Sequence, residues 1–278
     1  MVGQREARRG PGDAVKLAIV GAGRMGGAVL DGALRSGVLS VAELGVYHPD
    51  AVRRLELAEH YGVTALDDEA VHHAERVLLA VKPQSFEAVA PLVAQRRGSY
   101  LSIMAGVTAA TIAARVGSGR VVRAMPNLGA RVGASATAIT WGPETPDDDR
   151  AFARSLFGAI GTVYELPEHL FDAFTGLSGS GPAFAAVVAE SLADGGVRVG
   201  FSRDVARDLA RQVLLATARL LEEQSPAELK DEVASAGGTA IAGLRALERH
   251  RLRYALIDAI EAASARASEL ATINGSRR

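Results

Sequence analysis

The chain has 278 residues, of which 48% are hydrophobic and 23% are charged, and its formal net charge is −1. This balance argues against nucleic-acid or membrane binding, and the absence of cysteine excludes disulfides and thiolate chemistry. The longest fully apolar run, AFAAVVA at 183–189, is too short to span a bilayer. We therefore expect a cytoplasmic protein, and the six histidines show no spacing that predicts a metal site.

From residue 15 to 166, short β-branched runs alternate with helical patterns, which indicates βαβ units and a mostly parallel sheet. We predict that 15–166 forms a Rossmann-type dinucleotide-binding domain. The basic segment 1–14 contains glycine and proline and is predicted to be a flexible tail. The predicted strands are VKLAIV (15–20), ELGVYH (43–48), RVLLAV (76–81), SYLSIM (99–104), RVVRAM (120–125), ASATAITW (134–141) and GTVYEL (161–166).

After Pro167 the strand patterns end and long Ala/Leu-rich helical patterns follow, so 167–278 is predicted to form an all-α domain. Within 205–221 the apolar residues form two stripes at helical spacing. One stripe is Val205, Leu209, Val213, Ala216 and Leu220, and the other is Ala210, Leu214, Ala218 and Leu221. A helix that is apolar on two sides is buried between neighbours, and a second subunit could supply one of them. The predicted class is α/β, a Rossmann-type domain followed by an all-α dimerisation domain.

The stretch KLAIVGAGRMGGAV carries glycines in a G-x-G-x-x-G pattern between a predicted strand and a predicted helix. Gly21 would form the tight turn, Gly23 would let a pyrophosphate approach the backbone, and Gly26 would permit close helix–strand packing. The helix N-terminus would face the phosphates. Glycine-rich turns also arise for packing alone, but this strand–turn–helix setting favours a dinucleotide.

The end of the second predicted strand bears on the choice between NAD and NADP. NAD enzymes usually place Asp or Glu about 20 residues beyond the glycines, where it binds the ribose 2′-hydroxyl. Here the strand ends in Tyr47-His48-Pro49, the first acid is Asp50, and Arg53 and Arg54 follow. This pattern favours a 2′-phosphate, so NADP(H) is the preferred cofactor and NAD(H) remains compatible. A solvated arginine pair on a helix surface is the structural alternative.

The stretch LKDEVASAGGTAIAGLRALE (229–248) joins two helical patterns through adjacent glycines. Taken alone, GGT is most typical of a glycine joint that ends the helix predicted at 226–235. The alternative is a cradle in which the N–H groups of Gly238, Thr239 and Ala240, at a helix N-terminus, hold an anion. The glycines before Pro182 similarly predict a helix start with proline in its first turn.

Four segments, in order and approximate spacing, resemble one family, the pyrroline-5-carboxylate reductases. They are VGAGRMGGA (20–28), VRAMPN (122–127), TGLSGSGPAF (175–184) and LKDEVASAGGTAIAGLRALE (229–248). The first is generic for dinucleotide binding, whereas the last two are specific. The resemblance implies an NAD(P)H-dependent reductase whose helical C-terminal domain interlocks with a partner to form a homodimer, often assembled further into rings.

The resemblance also implies site residues, position by position. The cofactor-binding positions are Gly21, Ala22, Gly23, Arg24, Met25, Gly26, His48, Ala80, Val81, Lys82, Pro83, Ala105, Gly106, Glu168 and Glu232. The substrate-binding positions are Ser235, Gly237, Gly238, Thr239 and Ala240, with Thr239 and Ser235 as candidate catalytic side chains. Lys82 follows a predicted strand, where ligands of open α/β sheets bind, although a lysine at a strand end is more often solvated.

Three departures from the family pattern concern the substrate side. Family members usually show S-P-G-G-x-T, whereas here Ala236 replaces the proline. Ala240 replaces the threonine whose hydroxyl is thought to bond the substrate nitrogen. RAMPN is usually followed by Thr-Pro but here by Leu128-Gly129, and the loop before Leu229 is about two residues shorter.

The implied reaction transfers hydride from NAD(P)H to the C=N carbon of 1-pyrroline-5-carboxylate and gives L-proline, the last step of proline biosynthesis. A cyclic imine carboxylate can bind already protonated, which suits ASAGGTA because that segment has no titratable residue. A reductase of another cyclic imine carboxylate and a catalytically weak dinucleotide-binding regulator remain as alternatives. A β-hydroxyacid dehydrogenase is disfavoured, because the helix after Gly181 lacks the Lys and Asn that such alcohol oxidation uses.

Overall fold

The computed structural model describes residues 15–276, with side chains to residue 272. The predicted tail, 1–14, lies outside the described residues. Backbone contacts group residues 15–175 with 266–276 into one compact unit, and Gly176–Ala265 into another. The domain boundary expected at 166/167 stays a prediction.

The first unit is built on one eight-stranded sheet. Its strands are β1 (Leu17–Val20), β2 (Leu44–Tyr47), β3 (Thr64–Ala65), β4 (Arg76–Leu79), β5 (Ser99–Ser102), β6 (Val121–Met125), β7 (Ser135–Trp141) and β8 (Gly161–Glu165). They lie in the order β3-β2-β1-β4-β5-β6-β7-β8, and neighbours pair in parallel except β6 with β7. The first six positions have the 3-2-1-4-5-6 order of the Rossmann fold, so the predicted fold class is confirmed.

Six helices connect these strands, and two of them show both an N-terminal side-chain cap and a C-terminal glycine. The six are α1 (Arg24–Arg35), α2 (Ala51–Tyr61), α3 (Asp68–His73), α4 (Phe86–Val93), α5 (Ala109–Val116) and α6 (Asp147–Gly158). Asp50 caps α2, and Gly62 ends it in the left-handed conformation that glycine adopts without strain. Thr108 and Gly117 do the same for α5.

Apolar side chains cover both faces of the sheet. One layer joins α1, α2 and α6 to the strands and includes Val29 and Phe157, which are fully buried. The opposite layer joins α3, α4 and α5 and includes Val93 and Ile112. Because β4 is buried on both faces, its sequence is a continuous apolar run rather than an alternating one.

The second unit is helical. The short helix α7 (Phe171–Phe174) still belongs to the first unit. The helices that follow are α8 (Gly181–Arg198), α9 (Arg203–Leu220), α10 (Pro226–Val233), α11 (Thr239–Arg249) and α12 (Leu252–Ser276), of which α12 belongs to the second unit as far as Ala265. Helices α8 and α9 pack on each other around Ala193, Ala206 and Ala210. In the part of the chain that the structure describes, no helix is both long and apolar enough to cross a membrane.

Two local features differ from the sequence-based expectation. The strand β3 has only two residues, too few for a periodic pattern to predict. The segment 175–179 forms a π-helical turn before α8, where the sequence predicts only a glycine-rich helix start. Gly176 is needed there because a Cβ would overlap Ser264 Oγ. Pro182 lies in the first turn of α8, as predicted.

Candidate active site

The carboxyl ends of the parallel strands meet at one edge of the sheet. Val20 at the end of β1 pairs with Tyr47 of β2 and with Leu79 of β4, and Leu79 pairs with Ser102 of β5. The segments that follow these strands therefore lie side by side, in the place where open α/β sheets bind ligands. These segments carry the predicted cofactor residues 21–26, 48, 80–83 and 105–106.

Two glycines of the loop after β1 are fixed by the backbone around them. Gly21 has φ = +92°, and a Cβ there would lie 2.7 Å from Val81 Cγ1. Its N–H donates to Tyr47 O at 3.2 Å, which attaches the loop to the end of β2. A Cβ on Gly26 would lie 2.9 Å from Ala80 Cβ, so only glycine lets α1 approach β4 this closely.

Gly23 differs from its neighbours because the space around it is open. It is the N-cap of α1, no side chain caps this helix end, and a Cβ on Gly23 would meet nothing within 4 Å. The first turn of α1 thus presents backbone N–H groups and the positive end of the helix dipole to an accessible space. This arrangement fits a dinucleotide pyrophosphate.

The residues at the end of β2 make several local contacts. Asp50 Oδ1 accepts from the N–H groups of Val52 and Arg53, at 2.9 and 3.1 Å. The Arg53 N–H bond, outweighing burial, holds the pKa of the Asp50 carboxyl below its ordinary value, with further help from the Val52 N–H. Asp50 N–H donates to His48 Nδ1 at 3.1 Å. The carboxylate is therefore used as a helix cap.

The segment after β4 continues the strand and then turns. Ala80 N–H donates to Val20 O at 2.9 Å, and a 3₁₀ turn follows at Pro83–Ser85. Lys82 precedes that turn, is exposed, and makes no ion pair within the described residues. Its ammonium group is therefore available to a ligand at this edge. After β5, Gly106 adopts φ = +70°.

Glu168 is held by groups of the first unit. Its Oε1 accepts from Ala109 N–H at 2.8 Å and from Arg123 Nη1 at 2.9 Å. Arg123 is buried, and its guanidinium carbon lies 4.5 Å from the centroid of the Phe171 ring. Sequence analysis did not single out Arg123, because nothing in the RAMPN segment signals a buried cation. The cofactor role implied for Glu168 stays a prediction. Its Oε1 already accepts hydrogen bonds from Ala109 and Arg123.

The predicted substrate loop joins α10 to α11 in the second unit. Gly237 adopts φ = +70°, and Gly238 is the N-cap of α11 with no side-chain cap on the helix. Gly238 N–H donates to Ser235 O at 3.0 Å. The expectation that Gly238 N–H holds an anion is thereby corrected, because the turn consumes it. Thr239 and Ala240 lie in the first turn, whose N–H groups lack partners inside the helix.

Two side chains that the resemblance implicates near this loop, Ser235 and Glu232, have different surroundings. A Cβ on Gly238 would overlap Ser235 Oγ, so this hydroxyl lies close to Gly238. Within the described residues, the hydroxyl makes no hydrogen bond. A cavity of about 520 Å³ beside the loop is lined by Gly237 and Gly238, and its charged lining is mixed, with Lys230, Arg245 and Arg253 beside Asp231 and Glu248. Glu232 instead accepts from Gln224 Nε2 at 3.1 Å, and its implied cofactor role stays a prediction.

The sheet order and the glycine loop place the chain in the class of Rossmann-type dinucleotide-binding oxidoreductases with a helical second unit. Within the described residues, no group of three or more His, Asp or Glu side chains could hold a metal ion.

Comparison with known proteins identifies the family. Residues 168–270 match the model for pyrroline-5-carboxylate reductase dimerisation, and residues 16–106 match the model described as NADP oxidoreductase coenzyme F420-dependent. The pyrroline-5-carboxylate reductase of Thermus thermophilus is 51% identical over 92% of this chain and 98% of its own. The chain belongs to the pyrroline-5-carboxylate reductase family.

Solved structures show the same likeness. A pyrroline-5-carboxylate reductase from Coxiella burnetii has a TM-score of 0.85 and 30% identity, covering 93% of this chain and 99% of its own. The Plasmodium falciparum pyrroline carboxylate reductase with NADP bound has a TM-score of 0.82 and 26% identity, covering 92% and 98%. The fold and the helical dimerisation region of this chain are thus those of the family.

Proposed function

We propose that the protein reduces 1-pyrroline-5-carboxylate to L-proline, the last step of proline biosynthesis, with NADP(H) preferred and NAD(H) compatible. The observation that carries the proposal is the loop at 235–240. It has a left-handed turn at Gly237 and an uncapped start of α11, in a chain 51% identical to a protein named for this reaction.

The dinucleotide would lie along the carboxyl edge of the sheet. The uncapped N-terminus of α1 at Gly23 supports a pyrophosphate position there, and the exposed Lys82 follows β4, the strand that pairs directly with β1, on the same edge. Bound NADPH supplies the hydride that reduces the imine carbon. The remaining implied positions, including Ala105, Glu168 and Glu232, belong to the same proposal.

The substrate carboxylate would be held at the start of α11. The N–H groups of Thr239 and Ala240 point out of the first helical turn, and the dipole of this 11-residue helix favours an anion. Preorganised donors of this kind contribute about 3 kcal/mol each in a site that excludes water. Such a hold needs no side chain, so the exchange of the family's proline for Ala236 leaves it intact.

The imine nitrogen would be bonded by a hydroxyl from this loop. Ala240 has none, but Ser235 Oγ lies against the N-cap residue Gly238, and Thr239 is the first residue of α11. A substrate that binds as a protonated imine already carries its proton, so a hydrogen-bond acceptor beside the nitrogen is enough. The proposal includes a homodimer, and further assembly into rings.

Three imines and NADPH test this function. We expect the highest kcat/KM for 1-pyrroline-5-carboxylate, and a loss of about 100-fold for 1-pyrroline, because the latter has no carboxylate for the N–H groups to hold. A higher kcat/KM for the six-membered cyclic imine carboxylate would favour the alternative substrate. NADPH binding without turnover of any imine would contradict the proposal and favour a regulator.

A further inference from the structure

The end of β2 lies directly beside the glycine loop. Gly21 N–H donates to Tyr47 O at 3.2 Å, so the residue after Tyr47 borders the place where an adenosine ribose follows a pyrophosphate held by the loop. A carboxylate at this position binds ribose hydroxyls, whereas a cation accommodates a 2′-phosphate. Here Asp50 is committed to capping α2 through two N–H groups, which leaves the choice to the cations.

Two adjacent arginines differ sharply in how they are held. Arg53 is exposed, and its Nη1 forms an ion pair with Glu56 Oε2 at 2.9 Å, one turn along α2. Arg54 is half-buried: its Nη1 donates to His48 O at 3.4 Å, and its guanidinium carbon lies 5.6 Å from the centroid of the Tyr47 ring. Arg54 is therefore positioned at the strand end, while Arg53 is turned towards a carboxylate.

The charge of Arg54 has no direct counter-ion. No carboxylate forms an ion pair with it among the described residues, whereas the Arg53 charge is partly neutralised by Glu56. Its contact with the Tyr47 ring also restricts the side chain, which lowers the entropy that a ligand would have to remove. An adenosine 2′-phosphate carries nearly two negative charges and would meet this preoriented cation.

His48 adds a second donor at the same place. Its Nδ1 accepts from Asp50 N–H at 3.1 Å and must be unprotonated in that bond. The ring proton is then on Nε2, which makes the other edge of the imidazole a hydrogen-bond donor. The contact of Asp50 with the ring thus sets the tautomer that suits a phosphate oxygen.

We propose that Arg54 is the residue that selects NADPH over NADH, that His48 Nε2–H assists it, and that Arg53 takes no part. The proposal rests on the proposed function only in taking a nicotinamide dinucleotide as the cofactor. It predicts that the guanidinium of Arg54 carries the preference for NADPH. Removing that group should leave a dinucleotide site that still binds NADH.

Direct binding measurements on full-length Arg54→Ala and Arg53→Ala variants test the assignment. We expect Arg54→Ala to raise the Kd of NADPH about tenfold, with the Kd of NADH changed less than about twofold, since only the 2′-phosphate contact is lost. Arg53→Ala, with the same loss of charge at the next residue, should change both constants less than about twofold. An equal effect of the two variants on NADPH, or an equal effect of Arg54→Ala on both cofactors, would overturn the proposal.

A second pair of measurements keeps the test valid if Arg54→Ala folds poorly. Adenosine 2′,5′-bisphosphate should displace NADPH from the unaltered protein at a concentration about tenfold lower than 5′-AMP, because only the former carries the 2′-phosphate. In Arg54→Gln, which keeps the length of the side chain, this advantage should vanish. Equal displacement by the two nucleotides would contradict the proposal. No imine is present in these titrations, so failure of the proposed reaction would not alter the result.

Discussion

At the scale of single residues, the three glycines after β1 serve different purposes. Gly21 supplies a positive φ, Gly26 lets α1 approach Ala80, and Gly23 leaves open space above the helix end. The sequence motif predicts all three positions because the turn, the packing and the ligand each exclude a Cβ. The structure agrees with the turn predicted for Gly21 and the close packing predicted for Gly26, and the binding role of Gly23 stays a prediction.

Two substitutions distinguish these purposes. Gly26→Ala forces a Cβ against Ala80 and is expected to lower the free energy of unfolding by about 1–3 kcal/mol, the usual cost of overpacking. Gly23→Ala meets no neighbour, and should cost about 1 kcal/mol or less as an N-cap change while raising the Kd of NADPH. Urea unfolding and NADPH titration measure the two effects. A Gly23→Ala variant that binds NADPH normally would contradict the pyrophosphate position.

Asp149 is a buried carboxylate that sequence reasoning missed. It is 3% exposed, accepts from Arg76 Nε at 2.8 Å and Arg120 Nη2 at 2.9 Å, and also accepts from Ser99 Oγ. Burial raises the pKa of its carboxyl, but the bonds from Ser99 and Arg120 and the nearby cations outweigh that effect, so the pKa is lowered. Its contribution to stability is therefore present above the unfolded-state pKa and lost as the pH falls through the folded-state value.

Asp149→Asn is expected to lower the free energy of unfolding at pH 7 by about 3 kcal/mol, because Arg120 loses its carboxylate partner and Arg76 keeps only the exposed Glu75. The difference from the unaltered protein should shrink as the pH is lowered below about 3.9, the unfolded-state pKa of Asp. Asp147→Asn is the matched control: it lies two residues away on α6, is 98% exposed and should cost less than about 1 kcal/mol. Equal effects of the two substitutions in urea unfolding would refute the role of Asp149.

At the scale of elements, the loop between α10 and α11 ends one helix and begins the next, and it also carries a candidate anion site. The sequence predicts a glycine joint and a cradle as alternatives; the structure shows the joint, and a cradle reduced to the N–H groups of Thr239 and Ala240 stays a prediction. Gly237 turns the chain at φ = +70°, and Gly238 N–H closes the turn onto Ser235 O. The N–H groups left for a ligand are those one and two residues further on.

Gly238→Ala tests whether the loop binds substrate. The new Cβ would overlap Ser235 Oγ and displace it, so the KM for the imine should rise about tenfold while the Kd of NADPH is unchanged. Gly243→Ala on the same helix meets nothing within 4 Å, and should stabilise α11 by about 0.5–1 kcal/mol without a change in KM. If KM and Kd both rise in Gly238→Ala, the loop is a structural joint.

The accuracy of the sequence-based predictions varied between elements for physical reasons. The long strands and the glycine loop follow from periodicity and from fixed turn geometry, and their order gives the correct fold class. Side-chain partners distant in sequence have no such signature. The contact of Arg123 with Glu168 spans 45 residues, and the different surroundings of Arg53 and Arg54 depend on how Tyr47 and His48 are placed.

At the scale of the whole molecule, the single chain leaves one predicted apolar stripe of α9 exposed. Val205, Leu209 and Val213 are 47%, 45% and 53% exposed, whereas Ala206 and Ala210 are buried against α8. Of the other predicted stripe, Ala210 is buried and Leu214 half-buried, whereas Ala218 and Leu221 are exposed, so α8 covers only the N-terminal part of that side within the described residues. Since this region matches the family's dimerisation model, the exposed stripe is expected to be covered by a second copy.

Leu209→Arg tests this surface. Burying a leucine contributes about 1.5–3 kcal/mol, and a charge inserted twice into a symmetric interface should shift the protein from oligomer to monomer. Arg211→Ala, on the opposite face of α9 and 65% exposed, should leave the assembly unchanged. Sedimentation velocity gives the masses. An unchanged oligomer in Leu209→Arg would show that this stripe is not the interface.

The most direct test of the central claim is product analysis with the purified protein as the only enzyme present. The purified protein, NADPH and 1-pyrroline-5-carboxylate are incubated, and the L-proline formed is compared with the NADPH consumed. We expect one L-proline for each NADPH oxidised, and no reaction when either reactant is omitted. Tight NADPH binding with no proline, or NADPH oxidation without proline, would contradict the assignment of this chain as a working pyrroline-5-carboxylate reductase.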